Sequence, residues 1–144
     1  MNLEFKQCLE NQKIVPFEQG KKLVEKEFSV GQSDLADAKS GFQDKRFKWS
    51  TIQAYYAMFH AVRALVYFRG YREKSHHCLS IALKALFIEE GKLDAQYGRD
   101  FLNAMNLREA ADYEAHFSES GATAVIAAAE KFISKARELL DTNR

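Results

Sequence analysis

The sequence is poor in the residues that cut a chain into short elements. One proline (Pro16) and seven glycines in 144 residues are too few for the turn-rich strands of a sandwich or barrel. Two cysteines, Cys8 and Cys78, make no disulfide framework and no CxxC pair. Both thiols are therefore expected to be reduced, in a cytoplasmic protein. No apolar run reaches the ~18 residues of a membrane span, because charged side chains or histidine interrupt every candidate. The N-terminus, Met1-Asn2-Leu3-Glu4-Phe5-Lys6, lacks the basic-then-apolar layout of a secretion signal. An excess of one charge is missing too. Twenty-one Lys and Arg against 20 Asp and Glu give a formal charge of +1, which argues against a broad basic surface that grips nucleic acid through many phosphates. A local basic patch stays open.

What is present suits helices. Hydrophobic residues make up 47% of the chain and aromatic residues 12%, enough for a core in one domain of this length. We read 1–144 as that domain, with its core over about 20–140 and residues 1–16 as an extension. The first helix is expected from Gly20 to Ser40, after Pro16, with Gly31 and Ser33 predicting a kink and Gly41 a stop. Phe47 to Arg69 carries apolar residues all round the wheel, Trp49 among them, which marks a central helix covered on most sides. Gly70 closes it. Lys74 to Glu90 follows, with Ser75 able to cap it and Gly91 to end it. Asp94 then caps a helix to Tyr113, and Ser118 or Ser120 opens the last one. With short loops, this is an all-α, four- to five-helix up-and-down bundle.

Polar residues on the central helix form a pattern. Tyr56, His60, Arg63 and Tyr67 fall at i, i+4, i+7 and i+11, a single stripe on an otherwise apolar helix. A charged side chain there takes a partner, reaches water or meets a ligand. The stripe lines a groove or a subunit contact, or else it is a solvated edge with Arg63 paired to Asp112 or to a glutamate. On the fourth helix, Arg108 and Asp112 lie one turn apart in the weaker order for an ion pair. Two readings follow: a surface pair, or an Arg108 that binds phosphate while Asp112 holds its guanidinium. Between helices two and three, Arg69, Arg72, Lys74, His76 and His77 crowd a helix start whose free N–H groups favour an anion. A solvated loop is the alternative. His76, His77 and Cys78 are consecutive, so their side chains diverge and cannot share one ion; no metal and no cofactor is expected. No nucleophile elbow or phosphate loop occurs.

The run Ala54-Tyr55-Tyr56-Ala57-Met58-Phe59-His60-Ala61-Val62-Arg63-Ala64-Leu65 resembles the central helix of HEPN-domain proteins (higher eukaryotes and prokaryotes nucleotide-binding). Three further pieces resemble the small bacterial and archaeal branch in the same order. They are Gly70-Tyr71 with Lys74-Ser75-His76, then Glu90-Gly91-Lys92-Leu93-Asp94, then Arg108 with Ala111-Asp112-Tyr113. An Ala-rich last helix with Ala129-Glu130-Lys131-Phe132 also fits. The resemblance implies an all-α bundle, a homodimer with a groove between protomers, and a place in a toxin–antitoxin pair beside a minimal nucleotidyltransferase. It further implies that active members are metal-independent ribonucleases, with an Arg and, four to six residues further along, a His on a late helix.

At that position this chain has Arg108 but then Tyr113, and His116 only after seven intervening residues. A tyrosine with an ordinary pKa of ~10 shuttles protons poorly at neutral pH. Arg72 and His77 match the spacing, on the wrong loop. The expectation is a binding module for a nucleotide or RNA phosphate, with Tyr56, His60, Arg63, Arg108, Asp112 and Tyr113 as ligand-binding residues. In it Arg108 makes the anion contact, Asp112 orients it and Tyr113 hydrogen-bonds or stacks. The alternatives are a ribonuclease toxin using Arg108 with His116 or Arg72 with His77, and a structural adaptor that binds no nucleotide.

Overall fold

A computed structural model of the chain describes residues 2–143. Six helices are present among them: α1 (Leu3–Glu10), α2 (Gly20–Gln43), α3 (Phe47–Phe68), α4 (His76–Leu83), α5 (Ala95–Tyr113) and α6 (Glu119–Thr142). The count exceeds the expected four or five because α1 forms within the supposed extension. Asn2 caps α1 through a side-chain bond from the Phe5 N–H, and Phe5 and Cys8 are buried. Two short strands, β1 (Ile14–Pro16) and β2 (Tyr71–Glu73), pair antiparallel with Ile14 opposite Glu73 and Pro16 opposite Tyr71. Pro16 thus ends an edge strand, where a missing donor is harmless.

α3 is the central element. It packs against α2, α4, α5 and α6, and Tyr55, Met58, Val62 and Leu65 are among its fully buried side chains. Each such side chain contributes on the order of 1.5–3 kcal/mol on burial. α2 is one continuous helix, so the expected kink at Gly31 is absent, and it runs through Gly41. Gly31 is there for another reason: a Cβ would lie 2.9 Å from the Ala57 carbonyl oxygen of α3. Gly20, at the other end of that contact, would put one 2.5 Å from the Tyr67 carbonyl oxygen. The two glycines let the backbones of α2 and α3 approach closely. Gly70, at φ 84°, makes the left-handed exit from α3 that an L side chain resists.

The caps fall where expected: Ser75, Asp94 and Ser118 accept from the N–H groups of Cys78, Gln96 and Gly121. α4 does not continue as regular α-helix to Glu90. It passes into a π-helical turn, Lys84–Ile88. The expectation of reduced cysteines is corrected, because α1 lies against α4 and Cys8 and Cys78 are joined as a disulfide. They are 70 residues apart, so no local spacing signals the bond. Among the described residues no helix is long and apolar enough to cross a membrane.

Candidate functional site

From residue 50 to residue 67 of α3, every side chain is buried except Gln53, Tyr56, His60 and Arg63. These four recur at helical spacing and line a single open strip of the helix. α2 borders one side of the strip. α4 and α5 border the other. Tyr67, the last residue of the expected stripe, is itself buried.

The lower half of the strip is an ion-pair network. Arg63 grips the Glu73 carboxylate with two bonds, Nε to Oε1 at 3.1 Å and Nη2 to Oε2 at 2.8 Å. Its Nη1 donates to Glu27 Oε1 at 3.2 Å, and the same oxygen lies 2.6 Å from His60 Nδ1. His60 Nε2 is 3.5 Å from Asp34. Burial alone would raise the Glu27 pKa, yet the hydrogen bond from His60 and the Arg63 charge outweigh it and hold the carboxyl below its ordinary value. Asp34 is raised, mainly by burial. The partners of Arg63 are therefore Glu73 and Glu27, and Asp112 takes no part: it is exposed on the far end of α5. Glu73 reaches Arg63 because the β1–β2 ribbon carries it back beside α3.

The upper half is built differently. Arg108, on α5, is only 8% exposed. Its guanidinium carbon sits 5.5 Å from the Tyr55 ring centre, 5.3 Å from that of Tyr56 and 5.4 Å from that of Tyr113. Nη2 donates to the Tyr56 hydroxyl at 2.6 Å, and the buried Nε has no partner. Among the described residues no carboxylate pairs with it. Aromatic faces attract a guanidinium but accept few of its five N–H bonds, so donors remain for an anion.

His76, the first residue of α4, joins the same cluster. Its Nδ1 is 2.6 Å from the Tyr55 hydroxyl, and its ring stacks on Phe59 at 4.6 Å between centres. Burial and then the Arg108 charge lower its pKa, which keeps the imidazole neutral at pH 7. Burial pushes the Tyr55 hydroxyl well above its usual range, so it stays protonated. A hydroxyl donating to Nδ1 leaves Nε2 carrying the imidazole hydrogen.

Of the residues expected to bind ligand, Tyr56, Arg108 and Tyr113 come together; His60 and Arg63 belong to the neighbouring network. Asp112 makes no contact with Arg108, so its expected orienting role passes to Tyr56. Tyr113 is 74% exposed and forms the outer wall of the box. His116 lies beyond the end of α5, exposed, with its backbone N–H bonded to Ala110. Arg72 is exposed on β2 over Phe17, and His77 lines a different cavity with Ile81 and Leu102. The basic loop does not gather as an anion cradle, since Arg69 is tied to Glu90 and to the Leu86 carbonyl. Sequence reasoning placed His76 only in that loop and Tyr55 only in the core. Their pairing spans 21 positions and has no periodic signature. No group of three or more His, Cys, Asp or Glu among the described residues could hold a metal ion.

Comparison with known proteins agrees with this architecture. The chain is 30% identical over 112 residues to "Putative toxin MJ0605" of Methanocaldococcus jannaschii, an alignment spanning 77% of this chain and 84% of that one. It is 31% identical over 112 residues to a UPF0332 protein of Archaeoglobus fulgidus, covering 76% of this chain and 89% of its relative. Among solved structures, TT1696 from Thermus thermophilus superimposes with a TM-score of 0.70 at 16% identity, over 81% of this chain and 98% of that one. That last likeness is one of fold. Residues 24–141 match the HEPN domain, and the chain belongs to the HEPN domain family.

Proposed function

We propose that the chain is a binding module that holds the phosphate of a nucleotide or RNA on Arg108. We further propose that it acts as a homodimer, as one component of a toxin–antitoxin-like pair with a minimal nucleotidyltransferase. The observation that carries the first statement is the electrical isolation of Arg108. It is a buried guanidinium with one hydrogen bond, an orphaned Nε and no counter-ion. A buried cation left so is stabilised by an incoming anion, and a planar fork suits phosphate. The near-neutral net charge fits recognition at one point, with a shallow salt dependence. The similarity to a chain named as a toxin supports the pairing.

The test is a thermal melt of the wild type and Arg108→Ala with ATP, inorganic phosphate or short RNA. A ligand hundredfold above its Kd stabilises the folded wild type by about 2.7 kcal/mol. Arg108→Ala should lose that shift; an unchanged shift in this variant overturns the reading. Co-purification with an adjacently encoded nucleotidyltransferase, and sedimentation of the chain alone, test the two assembly statements.

One observation favours the second reading, metal-independent RNA cleavage: the neutral imidazole of His76 shares the Tyr55 and Tyr56 rings with Arg108. The pairs Arg108 with His116 and Arg72 with His77 have no such contact. Cleavage of labelled structured RNA in EDTA, lost in both Arg108→Ala and His76→Gln, is what this reading requires. Absence of cleavage by the wild type removes it.

A further inference from the structure

The open strip of α3 extends one step beyond the residues used so far. Trp49 stands seven residues before Tyr56, on the same helical face and about 10 Å further along the axis. It was expected inside a fully covered helix, yet it is 53% exposed. It borders a cavity of about 380 Å³ at the α2–α3 turn, together with Asp37, Ser40, Asp44, Arg46 and Gln53. This is at the small end of the range for ligand pockets, about 300–1,000 Å³. A large aromatic ring left in water beside a polar cavity is a stacking platform without its partner. The Lys48 ammonium lies 5.0 Å from the ring centre, and Gln53 offers both a donor and an acceptor one turn further along. The two carboxylates disfavour a second phosphate here, while with Gln53 they suit the donating and accepting edge of a nucleobase.

We propose that Trp49 and Gln53 form a subsite for one unpaired base of a single nucleic-acid strand whose phosphate lies on Arg108. The proposal rests on the phosphate reading of Arg108 and names the ligand as a strand with an accessible base. Recognition then runs along one helix face, with Arg108 and Tyr56 holding the backbone and Trp49 stacking the neighbouring base. The acidic residues of α2 face the base edges. The phosphates follow the α5 side.

Trp49 is the chain's single tryptophan, so its emission reports on this subsite directly. The probes are a short single-stranded RNA and an abasic strand of the same length, with binding followed separately by the anisotropy of a fluorescent end label. The RNA should quench Trp49 emission saturably, at the concentrations where anisotropy rises. Trp49→Ala should weaken its binding about tenfold, with Trp49→Phe in between and both variants melting near the wild type. The abasic strand should bind wild type and Trp49→Ala alike, and Arg108→Ala should lose both strands. RNA binding without quenching, and with Trp49→Ala equal to wild type, overturns the subsite while leaving the Arg108 site standing. No binding of either strand to wild type overturns the underlying reading as well. An emission change on raising protein concentration without RNA assigns Trp49 to a contact between two copies of the chain and overturns the proposal.

Discussion

Two arginines border the same strip of α3, and their surroundings could hardly differ more. Arg63 has three hydrogen bonds to two carboxylates, and its partner Glu73 is 6% exposed. Arg108 is as buried as many core residues, yet it has three aromatic rings and a single hydroxyl. A cation whose donors are met by fixed acids is finished: it holds the β1–β2 ribbon to α3 and has nothing left for a ligand. A cation whose charge is balanced by no acid keeps its donors in reserve. Residue type and burial alone do not separate structural from functional arginines. The inventory of their partners does.

The largest effect that would test this contrast is expected at Arg63. Arg63→Ala strands the buried Glu73 carboxylate and should cost about 3 kcal/mol in urea unfolding, with phosphate affinity per folded molecule unchanged. Arg108→Ala should do the reverse. It abolishes phosphate-dependent stabilisation but changes intrinsic stability by about 1 kcal/mol or less, because the Tyr56 hydroxyl can turn to water. A loss as large as that of Arg63→Ala would place Arg108 among the structural arginines. The contrast sharpens if Arg108 is given an acid. Tyr113→Glu puts a carboxylate on the outer wall of its box and should weaken phosphate binding about tenfold, the equivalent of 1.4 kcal/mol, in isothermal titration.

The smallest effect is in the pH dependence. The folded-state pKa of His76 lies below the unfolded 6.5, so the unfolded chain takes up the proton first. Stability is then level above pH 6.5 and falls as the pH drops from there through the folded value. His76→Gln should flatten that limb in pH-dependent melts. It should leave a second, more acidic limb, since Glu27 is held below its ordinary 4.5 and loses its contribution as the pH falls through the folded value.

Features written in local spacing were legible beforehand. The capping roles of Ser75, Asp94 and Ser118, the exit at Gly70, the all-round burial of most of α3 and the solvent-facing line of Tyr56, His60 and Arg63 all follow from neighbours within one or two turns. What escaped was set by contacts across the fold. Three-residue strands have too few positions to show alternation, so β1 and β2 were silent until paired. Glu73 rides on that ribbon, which is why Arg63 was matched to Asp112. Arg108 and Asp112 share a helix face, but α5 packs with Arg108 inward and Asp112 in water, which no wheel diagram decides. Gly31 reads as a helix breaker in one dimension and as a contact surface in three. Trp49 escaped because coverage of a helix end depends on where the neighbouring helices stop.

The cross-link between Cys8 and Cys78 divides the chain into a covalent ring and a tail. The Arg63 network, with Glu27, His60, Asp34 and Glu73, lies wholly within the ring. The Arg108 box does not: Tyr55, Tyr56 and His76 belong to the ring, Arg108 and Tyr113 to the tail. A single backbone cut between residues 8 and 78 leaves one covalent molecule, whereas a cut between α4 and α5 separates the two halves of the anion site. The molecule's mechanical weak seam and its candidate binding seam are thus the same line, and detaching α5 would switch the site off while the ring kept its own ion pairs.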